Sequence, residues 1–239
     1  MPRTPATHKA SDSKQPESAQ HRSGDQALVR FETFSDGVFA FAITLLVLSI
    51  RMPHQGDPDA NRGLLSLLLD QWRSVLVYVV SFMLIGMNWT NYRAMFATIV
   101  RSSHTLIWLN LVYLMAGVAF IPVPTAVLGT WLGDPKNEVV AVVFYGASVT
   151  LGGSIFCFIW WYAAYYAKLT DLESAQRRAH TVAYAPAPIL VAGLTGVAFL
   201  SAWVAVIGYA FLIFLYILPM PRLMAKKQEK LSRRRRSSV

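Results

Sequence analysis

The chain has 239 residues, 54% of them hydrophobic and 15% charged. A soluble fold of this length has no use for so much apolar sequence, so most of it lies in lipid. The net charge of +9 is spread unevenly: Arg233 to Arg236 form an unbroken run behind Lys226, Lys227 and Lys230. Beside a membrane span such a run reads as a cytoplasmic topology signal that touches anionic lipid, not as a nucleic-acid site.

Residues 1–29 are polar and rich in Ser, Gln, Pro and Ala, a composition that predicts a disordered cytoplasmic tail. The apolar run that follows starts too late and runs too long for a cleaved signal peptide, so the first span is expected to stay in the protein. That span covers 31–50 and is ended by Arg51, Met52 and Pro53. A short interfacial helix is predicted over 63–70. The second span lies within 72–96, with Trp72 and Tyr92 as interface anchors. A short basic loop with Arg93, Arg101 and His104 leads to the third span, 106–130, which Pro122 and Pro124 are expected to break. The fourth span covers 139–167 and ends in aromatic residues; 168–180 is a charged connection.

The stretch 182–220 is too long for one span and just long enough for two, with Ser201 and Ala202 as a weak turn signal. Parity decides. With six spans both termini share one face, and that face holds 18 of the 22 Lys and Arg residues. With five, the basic carboxyl-terminal run would lie outside, against the positive-inside rule. The expectation is an all-α membrane protein of six transmembrane helices over 30–221, followed by a basic cytoplasmic tail over 222–239. The lone Cys157 makes no internal disulfide, and no Cys/His cluster has metal spacing. No catalytic pair, nucleotide-binding glycine motif, carbonyl-filter sequence or arginine-repeat sensor is present, so an enzyme, a cofactor and a resident metal are not expected.

The first span carries the chemistry. On a helical wheel Phe34, Val38, Phe41, Leu45 and Leu48 form one apolar column, flanked by Gly37 and Thr44. Asp36 points almost directly away. A carboxylate at this depth needs partners, and Arg30, Asn88, Trp89, Asn91, Arg93 and Asn110 are the polar candidates. The apolar column packs against other helices or lipid, or it lines a pore.

Arg30, then Phe34-Ser35-Asp36, Gly37-Val38-Phe39-Ala40 and Thr44 resemble the signature of the transmembrane protein 175 family of potassium channels. Trp89, Asn110-Leu111 and the stretch 120–129 extend the likeness. The motif occurs once, which the resemblance associates with the prokaryotic single-repeat branch and a homotetramer in the cell membrane, both termini cytoplasmic. It implies a central pore lined by four copies of the first helix and passing potassium. Phe41, Leu45 and Leu48 would form the constriction and gate, and Thr44 a selectivity layer. Arg30, Phe34, Ser35, Asp36, Trp89 and Asn110 would form the motif scaffold. Only transient potassium would occupy the pore. Phe41 stands where the family usually has Ile or Leu, and Tyr92 where many relatives have His. Such a constriction would select potassium over sodium modestly and gate by tilt or rotation of the first helix. The alternative from a different class is a secondary transporter or small-solute permease, although no internal repeat supports it.

Overall fold

A computed structural model of the chain describes residues 15–53 and 60–217, with side-chain surroundings over 30–53 and 61–216. The helices are α1 (Gln15–Leu45), which tightens into a 3-10 turn over Leu46–Ser49, then α2 (Leu64–Asp70), α3 (Trp72–Phe96), α4 (His104–Tyr113) and α5 (Pro122–Trp131). They continue with α6 (Glu138–Trp161), α7 (Ser174–Tyr184), α8 (Pro186–Val197) and α9 (Ala202–Ile217). Five membrane-length apolar segments are present among the described residues: Arg30–Ser49, Trp72–Phe96, His104–Trp131, Glu138–Tyr166 and Ser174–Val197. A sixth apolar helix, Ala202–Tyr216, is shorter. The protein is a multi-pass helical membrane protein.

Several boundaries differ from the sequence expectation, each for a local reason. Helix α1 begins at Gln15, inside the segment whose composition predicts disorder. Once the membrane run nucleates a helix, Gln, Ala and Glu extend it at little cost. The basic tail 222–239 lies outside the described residues. The helical ladder of the third span is interrupted just before Pro122, where α5 begins. Its ladder loosens one turn earlier, in a π-helical turn over Leu114–Ala119 where Phe120 N–H reaches back to Met115 O at 3.1 Å. Pro122 has no N–H to give Val118 O, and Ile121 N–H takes that carbonyl at 3.2 Å. The segment 168–180 is only partly a connection: α7 starts at Ser174 and adds its turns to the fifth span. The turn signal at Ser201-Ala202 does separate α8 from α9.

The core has two clusters. One gathers Phe39, Ala42, Leu46, Ile85, Tyr92, Tyr113, Phe156 and Trp160 from α1, α3, α4 and α6. The other gathers Val77, Leu84, Leu128, Val142, Tyr145, Ala205 and Tyr209 from the opposite halves of α3 and α6 with α5 and α9. Within the bilayer no hydrophobic force drives helices together, so close approach and internal hydrogen bonds must do so. Both are visible. A Cβ at Gly152 of α6 would lie 2.7 Å from Gly117 Cα, so the two backbones touch. Ser81, Thr125 and Tyr145 form a buried chain across α3, α5 and α6, with Thr125 Oγ1 donating to Ser81 Oγ at 2.9 Å and Ser81 Oγ 3.0 Å from Tyr145 Oη. Ser74 Oγ donates to Gly129 O at 2.9 Å. The two loops at one end are tied by an isolated bridge between Ile99 and Thr170, with Val100 N–H donating to Leu169 O at 2.9 Å.

The glycine crossing yields a stability test. Gly152→Leu forces the α6 contact apart and is expected to cost about 1–3 kcal/mol of packing, read as a lower thermal midpoint of the detergent-solubilised protein. Gly193→Leu on α8, where a Cβ meets nothing within 4 Å, is expected to leave the midpoint nearly unchanged. Equal effects at both positions would remove the crossing as a packing constraint.

Candidate functional site

Helix α1 has two distinct faces. Ser35, Phe39 and Ala42 are buried against the protein, as are Leu46 and Ser49 in the 3-10 turn. Phe34, Gly37, Phe41, Thr44 and Leu48 lie uncovered on the other side, with Phe41 62% and Leu48 75% exposed. Leu45 and Val38 are half-buried at the margin of that open stripe. In the 3-10 turn, which winds tighter than an α-helix, Val47 is exposed as well as Leu48.

The buried face is anchored by Ser35. Its hydroxyl donates to Phe31 O at 3.0 Å and accepts from Tyr92 Oη at 2.8 Å and Asn110 Nδ2 at 3.3 Å. One donor and two lone pairs are all a hydroxyl has, so Ser35 is fully used. Tyr92 is itself fixed by rings: Phe96 at 4.4 Å and Phe39 at 5.3 Å between centroids. One residue on, about 100° round the helix, Asp36 Oδ1 accepts from Trp89 Nε1 at 2.8 Å, and its Oδ2 lies 3.6 Å from Arg93 Nη1. Arg93 also lies over the Trp89 ring, 5.5 Å from the centroid. The carboxylate is part-exposed, its side chain retaining 39% of its accessible surface, so this ion pair is discounted for screening and the indole bond is the firmer link.

The structure thus brings together Ser35, Asp36, Trp89 and Asn110 in two adjoining clusters. Arg30 is exposed and is not a partner of Ser35 or Asp36 among the described residues. Phe34 is exposed and shares the open face with Phe41. Tyr92, foreseen as an interface anchor, is instead a buried donor to Ser35. Its place on α3, three residues after Trp89 and so on a neighbouring face, is the signal that could have found it.

A helical membrane protein is defined here whose first span is pinned by a polar motif on one face and left open along an apolar stripe on the other. A family model described as the endosomal/lysosomal potassium channel TMEM175 matches residues 30–122. A potassium channel of Streptomyces collinus is 35% identical over 189 residues, spanning 78% of this chain and 90% of that protein. A potassium channel of Chamaesiphon minutus is 35% identical, spanning 78% of this chain and 91% of its own. The crystal structure of a lysosomal potassium-selective channel TMEM175 homolog from Chamaesiphon minutus superposes with a TM-score of 0.73 at 33% identity, covering 81% of this chain and 97% of that one. The chain belongs to the TMEM175 family.

Removing the Ser35 hydroxyl strands two buried donors at once. Ser35→Ala is expected to cost about 2 kcal/mol or more, since each unsatisfied buried group costs about 1–3 kcal/mol. The measurement is the thermal midpoint in detergent, with Thr44→Ala as the comparison. Thr44 is exposed and its hydroxyl bonds only its own helix, to Phe41 O at 2.8 Å, so that change is expected to be nearly silent for stability. A silent Ser35→Ala would contradict the anchoring role.

Proposed function

We propose that the chain is a passive, potassium-permeable cation channel that works as a homotetramer, six membrane helices per subunit, with four copies of α1 around a central pore. The observation that carries this reading is the uncovered stripe of α1. Phe34, Gly37, Phe41, Thr44 and Leu48 find no cover within the subunit, while the opposite face is pinned by hydrogen bonds. Two residues of the stripe do not suit a lipid-facing surface. Gly37 would have nothing within 4 Å of a Cβ, so nothing in the subunit requires glycine there, and small residues in membrane helices serve close approach between chains. Thr44 commits its proton to Phe41 O and turns its oxygen outward, where it can offer lone pairs to a cation. The names of the bacterial relatives, potassium channels spanned almost end to end, agree with this reading.

In this tetramer Phe41 and Leu48 form stacked apolar rings, with Leu45 at the edge of the constriction and Thr44 supplying a hydroxyl layer between. An apolar ring blocks ions by dewetting when narrow and admits them when widened. Without a cage of carbonyl oxygens, selection of potassium over sodium is modest. The protein sits in the cell membrane of a prokaryote with both termini in the cytoplasm, the orientation that the lysines and arginines favour.

Liposome flux tests the assignment. Phe41→Ala is expected to raise potassium flux by about tenfold, equivalent to removing about 1.4 kcal/mol from the barrier. Leu48→Asn is expected to raise it as well by wetting the constriction, and Thr44→Val to reduce the preference for potassium over sodium. If Phe41→Ala and Leu48→Asn both leave flux at the parent level in protein of normal thermal midpoint, the pore does not run along this stripe. A monomer by light scattering would remove the tetramer.

A further inference from the structure

The fifth span opens with paired arginines, Arg177 and Arg178, on the first turns of α7. Tyr165 stands beside Arg177, and Trp161 and Tyr166 are exposed with it at the end of the fourth span. Aromatic side chains gather in this way at the depth of lipid headgroups. Arg177 is held in place on one side: Nη1 donates to Ala164 O at 3.2 Å, and the guanidinium carbon lies 6.0 Å from the centroid of the Tyr165 ring. Its Nε–H is buried and has no hydrogen-bond partner among the described residues, so the outer guanidinium nitrogens are the ones that can face the crevice. Arg178 is exposed beside it.

Tyr165, Ser174, Ala175, Arg177 and Arg178 line an open crevice of about 490 Å³. The lining carries two guanidinium groups and two hydroxyls, and no carboxylate. Glu173, the neighbouring acid, sits at the start of α7, where its N–H donates to the Gln176 side chain at 3.1 Å. Asp171 and Glu173 are both outside the lining. A planar guanidinium matches the oxygens of a phosphate in pairs, and the amino-terminal end of a helix adds a favourable partial charge.

We propose that this crevice seats the phosphate of an anionic phospholipid, with Arg177 and Arg178 as the donors to its oxygens and Tyr165 and Ser174 beside the headgroup. The inference depends on the membrane placement of the fifth span and not on ion conduction. The basic run 233–236 is a separate attractor for anionic lipid, so the test removes it.

The experiment uses the full-length chain with Arg233 to Arg236 changed to Gln, in detergent micelles supplied with phosphatidylglycerol or phosphatidylcholine, and counts retained lipids by native mass spectrometry. Arg178→Gln is expected to lower retained phosphatidylglycerol about fivefold, the effect of one basic residue at a membrane surface. Phosphatidylcholine retention is expected to stay unchanged, and excess inorganic phosphate to leave the bound phosphatidylglycerol in place. Arg177→Gln is expected to act in the same direction. Because Arg177 also holds Ala164 O, Arg178→Gln is the deciding variant if Arg177→Gln does not fold. Parent-level phosphatidylglycerol retention in Arg178→Gln overturns the proposal. So does displacement by inorganic phosphate, which would make the crevice a free-anion site instead of a lipid seat.

Discussion

A hydroxyl group buried at the contact of three helices sets the orientation of everything the first span can do. Ser35, Tyr92 and Asn110 are buried inside the subunit, and the Ser35 oxygen is the acceptor that both Tyr92 and Asn110 use, although Asn110 Oδ1 has no partner among the described residues. Only one rotation of α1 about its own axis allows this pairing. The apolar residues around the hydroxyl would pack about as well in several rotations, since lipid tails and leucine side chains are alike to a hydrophobic surface. The hydrogen bonds turn a permissive contact into a directional one.

That direction determines the face α1 leaves uncovered. With Ser35 inward, Phe39, Ala42 and Leu46 follow it into the core by helical periodicity, and Phe34, Phe41 and Leu48 are driven outward by the same arithmetic. Asp36 is carried to the flank, where Trp89 and Arg93 on α3 meet it. The acidic residue that makes the segment conspicuous therefore belongs to the scaffold. The stripe with no notable chemistry is the surface that is free to meet another copy.

The sequence made the spans legible because membrane thickness imposes a length that composition reports directly. The second span, 72–96, coincides with α3, and Ser201-Ala202 separates the last two helices even though nothing but a faint polar signal stands there. What periodicity could not supply is local backbone departure. The π-helical turns over Leu114–Ala119 and Tyr162–Tyr166 alter the register of two spans, yet their residues are ordinary membrane residues. The 3-10 turn at the end of α1 is hidden in the sequence for the same reason. Long-range pairing was also hidden: Ser81, Thr125 and Tyr145 meet across three helices and are separated by tens of positions in the chain. Within the motif, Ser35, Asp36, Trp89 and Asn110 were readable as a polar set, but which of them pair was a matter of rotation. Tyr92 entered as the donor that no spacing rule on α1 itself could name.

Rotation of α1 by a single residue, as a way to open a pore, meets the same constraint. Such a step turns the helix by about 100°, withdraws the Ser35 oxygen from Tyr92 and Asn110, and leaves two donors unpaired in an apolar surround, at about 1–3 kcal/mol each. It also lifts Phe39 off the Tyr92 ring. The far end is no freer, because Leu46 and Ser49 in the 3-10 turn are buried among the other helices. A helix held at both ends does not turn alone. In the proposed ring of four subunits, the movements that would keep these contacts are rigid displacement of whole subunits, which would carry all four stripes apart together, and rotamer changes of Phe41 and Leu48. The second is the smaller and faster step. The aromatic ring at Phe41 is 62% exposed and makes no ring contact with the Tyr92 cluster among the described residues, so its side chain can move without disturbing the anchor that positions it.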